Sequence, residues 1–334
     1  MHAVTKPMPV PFLDLTMQYK QFEAKWLAAI RETGARGSFV LGPHVQAFEK
    51  ECAEYVGVKY AIGVANGTDS LYLSLRALGI GPGDEVITTP FTFFASAESI
   101  DMVGATPVFA DILPDSFCLD PASIRKKITS KTKAILPVHI FGHPAEMDEI
   151  MAIAKQHKLA VVEDCAQAFG ATHNGKVVGA IGDTGSFSFY PTKVLGCYGD
   201  GGMITTNSDA LNDHIRRLRN HGAAKPFIHV EIGMNSRLDE VQAALLRLKL
   251  RTIKKDIAGR QQVAAEYTKR LAGSAVKTPT LPKNGTHAFN LYTIRIPKRD
   301  AVRQALTDAQ IGTSQCYPQG LHLQDVYKKL GYKS

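Results

Sequence analysis

Lys193 closes an unusual run, Gly185-Ser186-Phe187-Ser188-Phe189-Tyr190-Pro191-Thr192-Lys193. A strand of small and aromatic residues meets a Pro-Thr break, then the lysine, then a crowd of glycines at Gly196, Gly199, Gly201 and Gly202. A lysine held in such a loop, near a cationic ring and out of water, loses its proton readily and serves as a nucleophile or general base. Taken alone, Lys193 is equally well explained as a surface lysine that follows a strand. Upstream, Val161-Val162-Glu163-Asp164 ends an apolar run with two carboxylates. Ligands of open parallel sheets bind beyond the carboxyl ends of the strands, where an Asp could pair with a protonated pyridine nitrogen. Many strands end in Asp, so this signal too is weak by itself. Asn66-Gly67-Thr68-Asp69 follows another apolar run and opens a helix. Thr68 is expected to cap that helix, and the small Gly67 to let an anion approach its free amides. A plain capped helix accounts for the same four residues.

These residues need a scaffold, and the apolar pattern supplies one. Residues 85–88, 107–111, 134–138, 160–163, 186–189 and 203–206 have the composition of strands. Residues 70–78, 146–156 and 210–220 have the periodicity of amphipathic helices between them. Gly81-Pro82-Gly83-Asp84 is a turn that launches a strand. The alternation predicts an α/β fold with a mainly parallel sheet covered by helices on both faces. Beyond it, residues 238–271 form one long helical stretch, interrupted near Ala258-Gly259. A strand at 289–296, a helix at 300–310 and an irregular tail follow. We therefore expect a large domain over residues 1–255, including an N-terminal segment, and a smaller α+β domain over 256–334.

Composition narrows the function classes. Of 334 residues, 45% are hydrophobic and 21% charged, and no apolar run approaches the ~20 residues of a membrane helix. The N-terminus is broken by Pro7, Pro9 and Pro11, which argues against a signal peptide. Cys52, Cys118, Cys165, Cys197 and Cys316 are odd in number and lack CxxC spacing. They suggest reduced thiols in a cytoplasm. The formal charge of +8 is spread out, with short basic clusters at 216–219 and 247–255. A nucleic-acid protein would carry a denser stripe. A solvated surface, or a mild field that attracts anionic cofactors and substrates, explains this charge. His139 and His143 have i,i+4 spacing but follow a strand and flank Gly142, so they are not a helical metal pair. There is no GxGxxG after a strand and no phosphate loop of the Walker type.

Taken together, the motifs resemble those of the DegT/DnrJ/StrS-type family of pyridoxal-phosphate-dependent nucleotide-sugar aminotransferases. The resemblance runs from Val10-Pro11-Phe12-Leu13-Asp14-Leu15 to Leu321-His322-Leu323-Gln324. Its specific stretches are Phe39-Val40-Leu41-Gly42-Pro43, Asn66-Gly67-Thr68-Asp69-Ser70-Leu71, Thr92-Phe93-Phe94-Ala95 and Glu163-Asp164-Cys165-Ala166-Gln167-Ala168. The Lys193 segment and Asn235-Ser236-Arg237-Leu238-Asp239-Glu240-Val241-Gln242-Ala243-Ala244 complete them.

The resemblance implies an aspartate-aminotransferase-like fold and assigns roles. Lys193 carries the cofactor as a Schiff base and moves the reacting proton. Asp164 pairs with the pyridine nitrogen, Gln167 lies near the ring hydroxyl and Phe93 stacks on the ring. Gly67, Thr68 and Ser188 hold the cofactor phosphate, and Asn235 reaches it from the neighbouring subunit of a homodimer with shared active sites. L-Glutamate is the expected amino donor and a keto sugar on a nucleoside diphosphate the acceptor, for amino-sugar, polysaccharide or lipopolysaccharide synthesis. No metal, nucleic acid or membrane partner is expected. The loop at 195–202 resembles members that aminate C3 of UDP-linked N-acetylated uronic acids. In those members an arginine matching Arg237 and a His-Tyr pair face the sugar carboxylate. Here the pair is Cys316-Tyr317. The chain ends at Ser334, a few dozen residues before family members usually do. That implies a truncated small domain with Leu321, Leu323, Val326, Tyr327 and Leu330 under-packed. The alternatives are a sugar dehydratase, which carries His in place of Lys193, a sulfur-transfer enzyme using Cys197, or a non-catalytic protein of the same fold.

Overall fold

Seven strands build the central sheet: β1 (Tyr60–Val64), β2 (Glu85–Thr88), β3 (Thr106–Phe109), β4 (Thr132–Ile135), β5 (Ala160–Asp164), β6 (Thr184–Ser188) and β7 (Gly202–Thr206). They lie in the order β1-β7-β6-β5-β4-β2-β3. The computed structural model describes residues 8–333. The proline-broken stretch that argued against a leader begins outside them, at residues 1–7. The β3-β2-β4-β5-β6 run is parallel throughout, and β7 alone is inserted antiparallel, between β6 and β1. Val161 and Val162 of β5 are both fully buried, as expected of a strand covered on two faces. The strand β1 was not singled out in the sequence, although its Ala61, Ile62 and Val64 are core residues.

Helices α1 (Thr16–Arg36), α2 (Pro43–Val56), α3 (Gly67–Ala77), α4 (Ala95–Met102), α5 (Pro121–Lys127), α6 (Met147–His157) and α7 (Asp209–Leu218) follow in order. One apolar core joins α3, α4 and α6 to strands β2, β4 and β5. A second joins α2, β6 and β7 to helices α8 (Glu240–Leu250) and α9 (Ile253–Leu271).

Several expectations need correction. Thr68 is not the cap of α3. The helix already includes Gly67, and the Asn66 side chain accepts the Asp69 amide at 2.8 Å. The helical stretch after residue 238 breaks between Leu250 and Ile253, whereas Gly259 lies inside α9. Residues 289–296 do not form a strand. Phe289 has a φ of 47°, and the amides of Ala288 and Leu291 bond to Gly142 and Phe141 of the turn after β4. Only an isolated bridge, Lys277 to Arg295, resembles a ladder. Helix α10 (Arg299–Asp308) forms as expected.

The basic cluster at 216–219 is not a solvated surface. Arg219 is buried and donates to Glu49 and to the Gly63 carbonyl, both at 2.6 Å, while Arg216 takes the other Glu49 oxygen at 2.8 Å. The C-terminal residues are better covered than expected. Leu321 and Tyr327 are buried against Ala97 and Phe109 of the large sheet and its helix, although Val326 is half exposed.

Candidate active site

The carboxyl ends of β5 and β6 bring the sequence motifs together. Asp164 is the last residue of β5 and is buried. Its Oδ2 accepts the Ser96 hydroxyl at 2.7 Å, and its Oδ1 accepts the Ala166 amide at 3.1 Å. Ser96 stands one helical turn after Thr92, with their hydroxyls 2.9 Å apart. The stretch containing Phe93 thus holds the carboxylate from the neighbouring helix. Burial pushes the Asp164 carboxyl above its ordinary range, although Ser96, the Ala166 amide and the charge of Lys193 oppose this. Burial draws the Lys193 ammonium below its ordinary range, with Asp164 and then Cys316 opposing. The charge of each group thus opposes the shift that burial imposes on the other.

Next to Asp164, Glu163 is fully buried and points the opposite way along the alternating strand. It accepts four donors: the His139 ring at 3.0 Å and the amides of Gly179, Ile181 and Gly182 at 2.9, 2.8 and 2.7 Å. Burial alone would raise its pKa, but His139 and the amides hold it below the usual range. His139 Nδ1 accepts the Ala145 amide at 2.9 Å, so the ring proton lies on Nε2, facing Glu163. The His139 amide also bonds to the Asp164 carbonyl at 3.0 Å. This latch fixes the strand end that carries Asp164. His139, Glu163 and Cys165 are close enough to share an ion, but the nitrogens and oxygens they would offer are already engaged.

At the start of α3, small residues let Ser188 and Asn66 pack closely around the first turn, a cradle of backbone and short side chains. A β-carbon at Gly67 would fall 2.6 Å from the Ser188 β-carbon, and one at Gly202 would fall 2.2 Å from the Asn66 carbonyl oxygen. The first amides of a helix have no partner within it, so Gly67 and Thr68 direct theirs outward. Across the site, Phe93 is 60% exposed, a large ring with a free face. Gln167 is buried and bonded at both ends: its oxygen takes the Phe141 amide at 2.9 Å, and its nitrogen donates to the Tyr317 hydroxyl at 3.0 Å. Burial raises the Tyr317 phenol. Arg237 donates to Asn220 at 3.2 Å, and the exposed Asn235 pairs with Asn220 through backbone. Beside it, Ser236 accepts the Ala65 amide at 3.0 Å, which places this segment next to the α3 cradle.

Sequence reasoning missed Ser96, His139 as a latch, and Cys316 as a neighbour of Lys193. The i,i+4 spacing from Thr92 was the available signal for Ser96; the other two depend on contacts between distant segments. Cys197, by contrast, is buried, bonds to the Phe189 carbonyl at 3.0 Å, and is pushed up by burial to about 12. A thiol in that state is a poor nucleophile, which removes the support for sulfur transfer.

These residues fit pyridoxal phosphate. A buried carboxylate held by a hydroxyl and an amide, but in no ion pair among the described residues, suits a cationic ring nitrogen. The unpaired first amides of α3, closely flanked by Ser188, suit a phosphate at a helix start. Comparisons with known proteins agree. Residues 20–334 match the model of the DegT/DnrJ/EryC1/StrS aminotransferase family. A pleiotropic regulatory protein of Geobacillus stearothermophilus is 48% identical over 98% of this chain and 88% of its own. The UDP-2-acetamido-2-deoxy-3-oxo-D-glucuronate aminotransferase of Pseudomonas aeruginosa is 43% identical over 94% of this chain and 88% of its own. The crystal structure of S. venezuelae DesV, in complex with a ketimine intermediate, superposes with a TM-score of 0.95 at 42% identity, covering 97% of this chain and 87% of that one.

Proposed function

The chain belongs to the DegT/DnrJ/EryC1/StrS aminotransferase family, and from that premise we propose that it moves an amino group from L-glutamate to a keto sugar carried on a nucleoside diphosphate. The observation that carries this reading is the buried Asp164 carboxylate, held by the Ser96 hydroxyl and the Ala166 amide at the end of β5 and in no ion pair among the described residues, beside the strand β6 that leads to Lys193. Pyridoxal phosphate is the cofactor; it supplies an aldehyde that captures amines and a ring that draws electrons from the carbon losing a proton.

In our reading, the amides of Gly67 and Thr68 and the hydroxyl of Ser188 hold the phosphate. Phe93 would cover one ring face, and Asp164 would keep the ring nitrogen protonated. Gln167 stands beside the ring, with its orientation fixed by Phe141 and Tyr317. Lys193, desolvated and drawn toward its neutral form, would supply the amine that holds the cofactor and the base that moves the proton at the reacting carbon. Arg237 and Tyr317 face the sugar. Five free cysteines are compatible with a cytoplasmic setting, and no helix among the described residues is long and apolar enough to cross a membrane.

Mixed with L-glutamate alone, the loaded enzyme should release 2-oxoglutarate in proportion to its active sites. A panel of UDP- and dTDP-linked keto sugars should then restore the aldehyde form, read by absorbance. Cysteine yielding alanine in place of this exchange would overturn the assignment.

We further propose that two subunits share each site, with Asn235 reaching the phosphate of its neighbour. The support is its exposure, with Phe227 in the preceding hairpin of residues 223–229 at 94% and Ile232 just after it at 82%. Lys193→Ala and Asn235→Asp should each be nearly inactive. In a mixed dimer, one site takes both lesions and the other takes neither. Mixing and reassembly should therefore restore roughly a quarter of wild-type activity, the share that statistical mixing gives a two-fold dimer. Mixed dimers that form but stay inactive would place Asn235 in its own subunit's site, or in none.

A further inference from the structure

The loop that carries Lys193 is held from below by a buried lysine that the reaction does not use. Lys249, on α8, is 2% exposed. Its ammonium donates to the Gly196 carbonyl, three residues beyond Lys193, and to Gln18 of α1 at 2.7 Å. It also lies 4.5 Å from the centre of the Tyr198 ring, a cation–π distance. Seven residues earlier on α8, Gln242 accepts the Tyr198 amide at 3.0 Å and donates to the Tyr198 carbonyl at 2.8 Å. Residues seven apart lie two turns along one helix face, so a single face of α8 grips the loop at two points.

The loop has little slack in which to absorb the loss of either grip. The Lys193 amide bonds back to the Tyr190 carbonyl at 2.9 Å, and the Cys197 amide to the Phe189 carbonyl at 2.8 Å. A β-carbon on Gly196 would strike the Pro191 and Tyr190 carbonyl oxygens at 2.6 and 2.8 Å. Gly196 is therefore pressed against the turn that presents Lys193, and the Lys249 ammonium is the donor for its carbonyl.

We propose that Lys249 is a positioning residue: it fixes Gly196 and Tyr198 against α1 and α8, and so sets where the Lys193 amine sits. The proposal rests on Lys193 being the reactive lysine. It gives α8 and α1 a part in catalysis without contact to cofactor or substrate. A lysine serving only global stability would, when replaced, lower the melting temperature through the orphaned Gly196 carbonyl but leave kcat unchanged in the folded protein. A positioning lysine would lower kcat in the folded protein as well.

Trp26, the one tryptophan in the chain, gives an independent readout, since its ring meets Tyr198 edge-on at 4.9 Å. In Lys249→Met, kcat should fall about 10- to 100-fold while the KM for the amino donor stays within about threefold, the pattern of a misplaced reacting group. In the cofactor-free protein, acrylamide should quench Trp26 fluorescence at least about twofold more strongly, because the Tyr198 ring no longer shields it. Lys249→Arg, which keeps charged donors, should recover most of both. If Lys249→Met fails to fold, Lys249→Gln, too short to reach Gly196, should show the same two changes. A folded Met or Gln variant with wild-type kcat and unchanged quenching would overturn the proposal. The quenching is read without cofactor or sugar, so an error in the assigned substrate would leave it unaffected.

Discussion

Lys193→Ala should lower kcat by about 10⁴-fold or more, because it removes both the group that captures the aldehyde and the base that moves the proton; positioned acid–base catalysis alone is worth about 10²–10⁴. Lys193→Arg should be no better. It keeps the positive charge beside Asp164, but a guanidinium does not give up its proton near neutral pH. The Arg variant thus separates charge balance from chemistry. Added methylamine, a small base, should restore part of the rate in Lys193→Ala, where a space is left, and little in Lys193→Arg. Borohydride reduction of the wild-type protein followed by peptide mass spectrometry should place the cofactor on Lys193. Activity within tenfold of wild type in either variant, or an adduct on another lysine, would overturn the assignment.

The individual motifs of the site were legible in the sequence because each is a local pattern. Asp164 ends an apolar run, Gly67 lies at the start of a helix after another, and Lys193 follows a Pro-Thr break. Their partners were not legible, because those come from elsewhere in the chain. Ser96 reaches Asp164 across 68 residues, and Arg219 reaches Glu49 across 170. Two motifs noticed separately turn out to be halves of one contact. Glu240, inside the Asn235 motif, accepts the His44 and Val45 amides just after Gly42-Pro43, closing the start of α2 from a distance. Its buried carboxylate also occupies the space beside Gly42, where a β-carbon would lie 2.8 Å from Glu240 Oε1.

The missed elements have a similar cause. Residues 289–296 are rich in aromatic and β-branched side chains, and that composition suggests a strand. A strand also needs a neighbour with free backbone groups, and here the available partner is the Ile140–Gly142 turn, which fixes Phe289 in the left-handed region. The helix break after Leu250 has no Gly or Pro to announce it. There the Thr252 amide and hydroxyl turn back to the Lys249 carbonyl at 3.0 and 3.1 Å, and the same hydroxyl donates to Asp256 at 2.9 Å.

Asp164→Asn should lower kcat by about 10²–10³-fold, the usual loss when one preorganised electrostatic partner of a reacting centre is removed. The substitution is nearly isosteric. Its amide oxygen can still accept the Ala166 amide, and its amide nitrogen can still meet the Ser96 hydroxyl. Packing should survive, then, and the loss should come from the missing negative charge. Without that charge the cofactor ring nitrogen is no longer held protonated and draws electrons less strongly. A second effect has a definite sign. Burial lowers the Lys193 pKa and Asp164 opposes that shift; removing Asp164 should therefore lower Lys193 further. In cofactor-free protein, the midpoint of the pH dependence of Lys193 acylation by a small amine-directed reagent should move to lower pH in Asp164→Asn. In the wild-type protein, Asp164 is itself held above its ordinary range by burial, so it takes up its proton earlier as the pH falls. That protonation removes the charge that opposes the Lys193 shift, so the acid-side fall of Lys193 reactivity in cofactor-free wild-type protein should be shallower than a single titration, whereas the Asn variant should follow a single titration. A kcat within tenfold of wild type, or a Lys193 midpoint that moves upward, would show that Asp164 is not the charge that tunes this site.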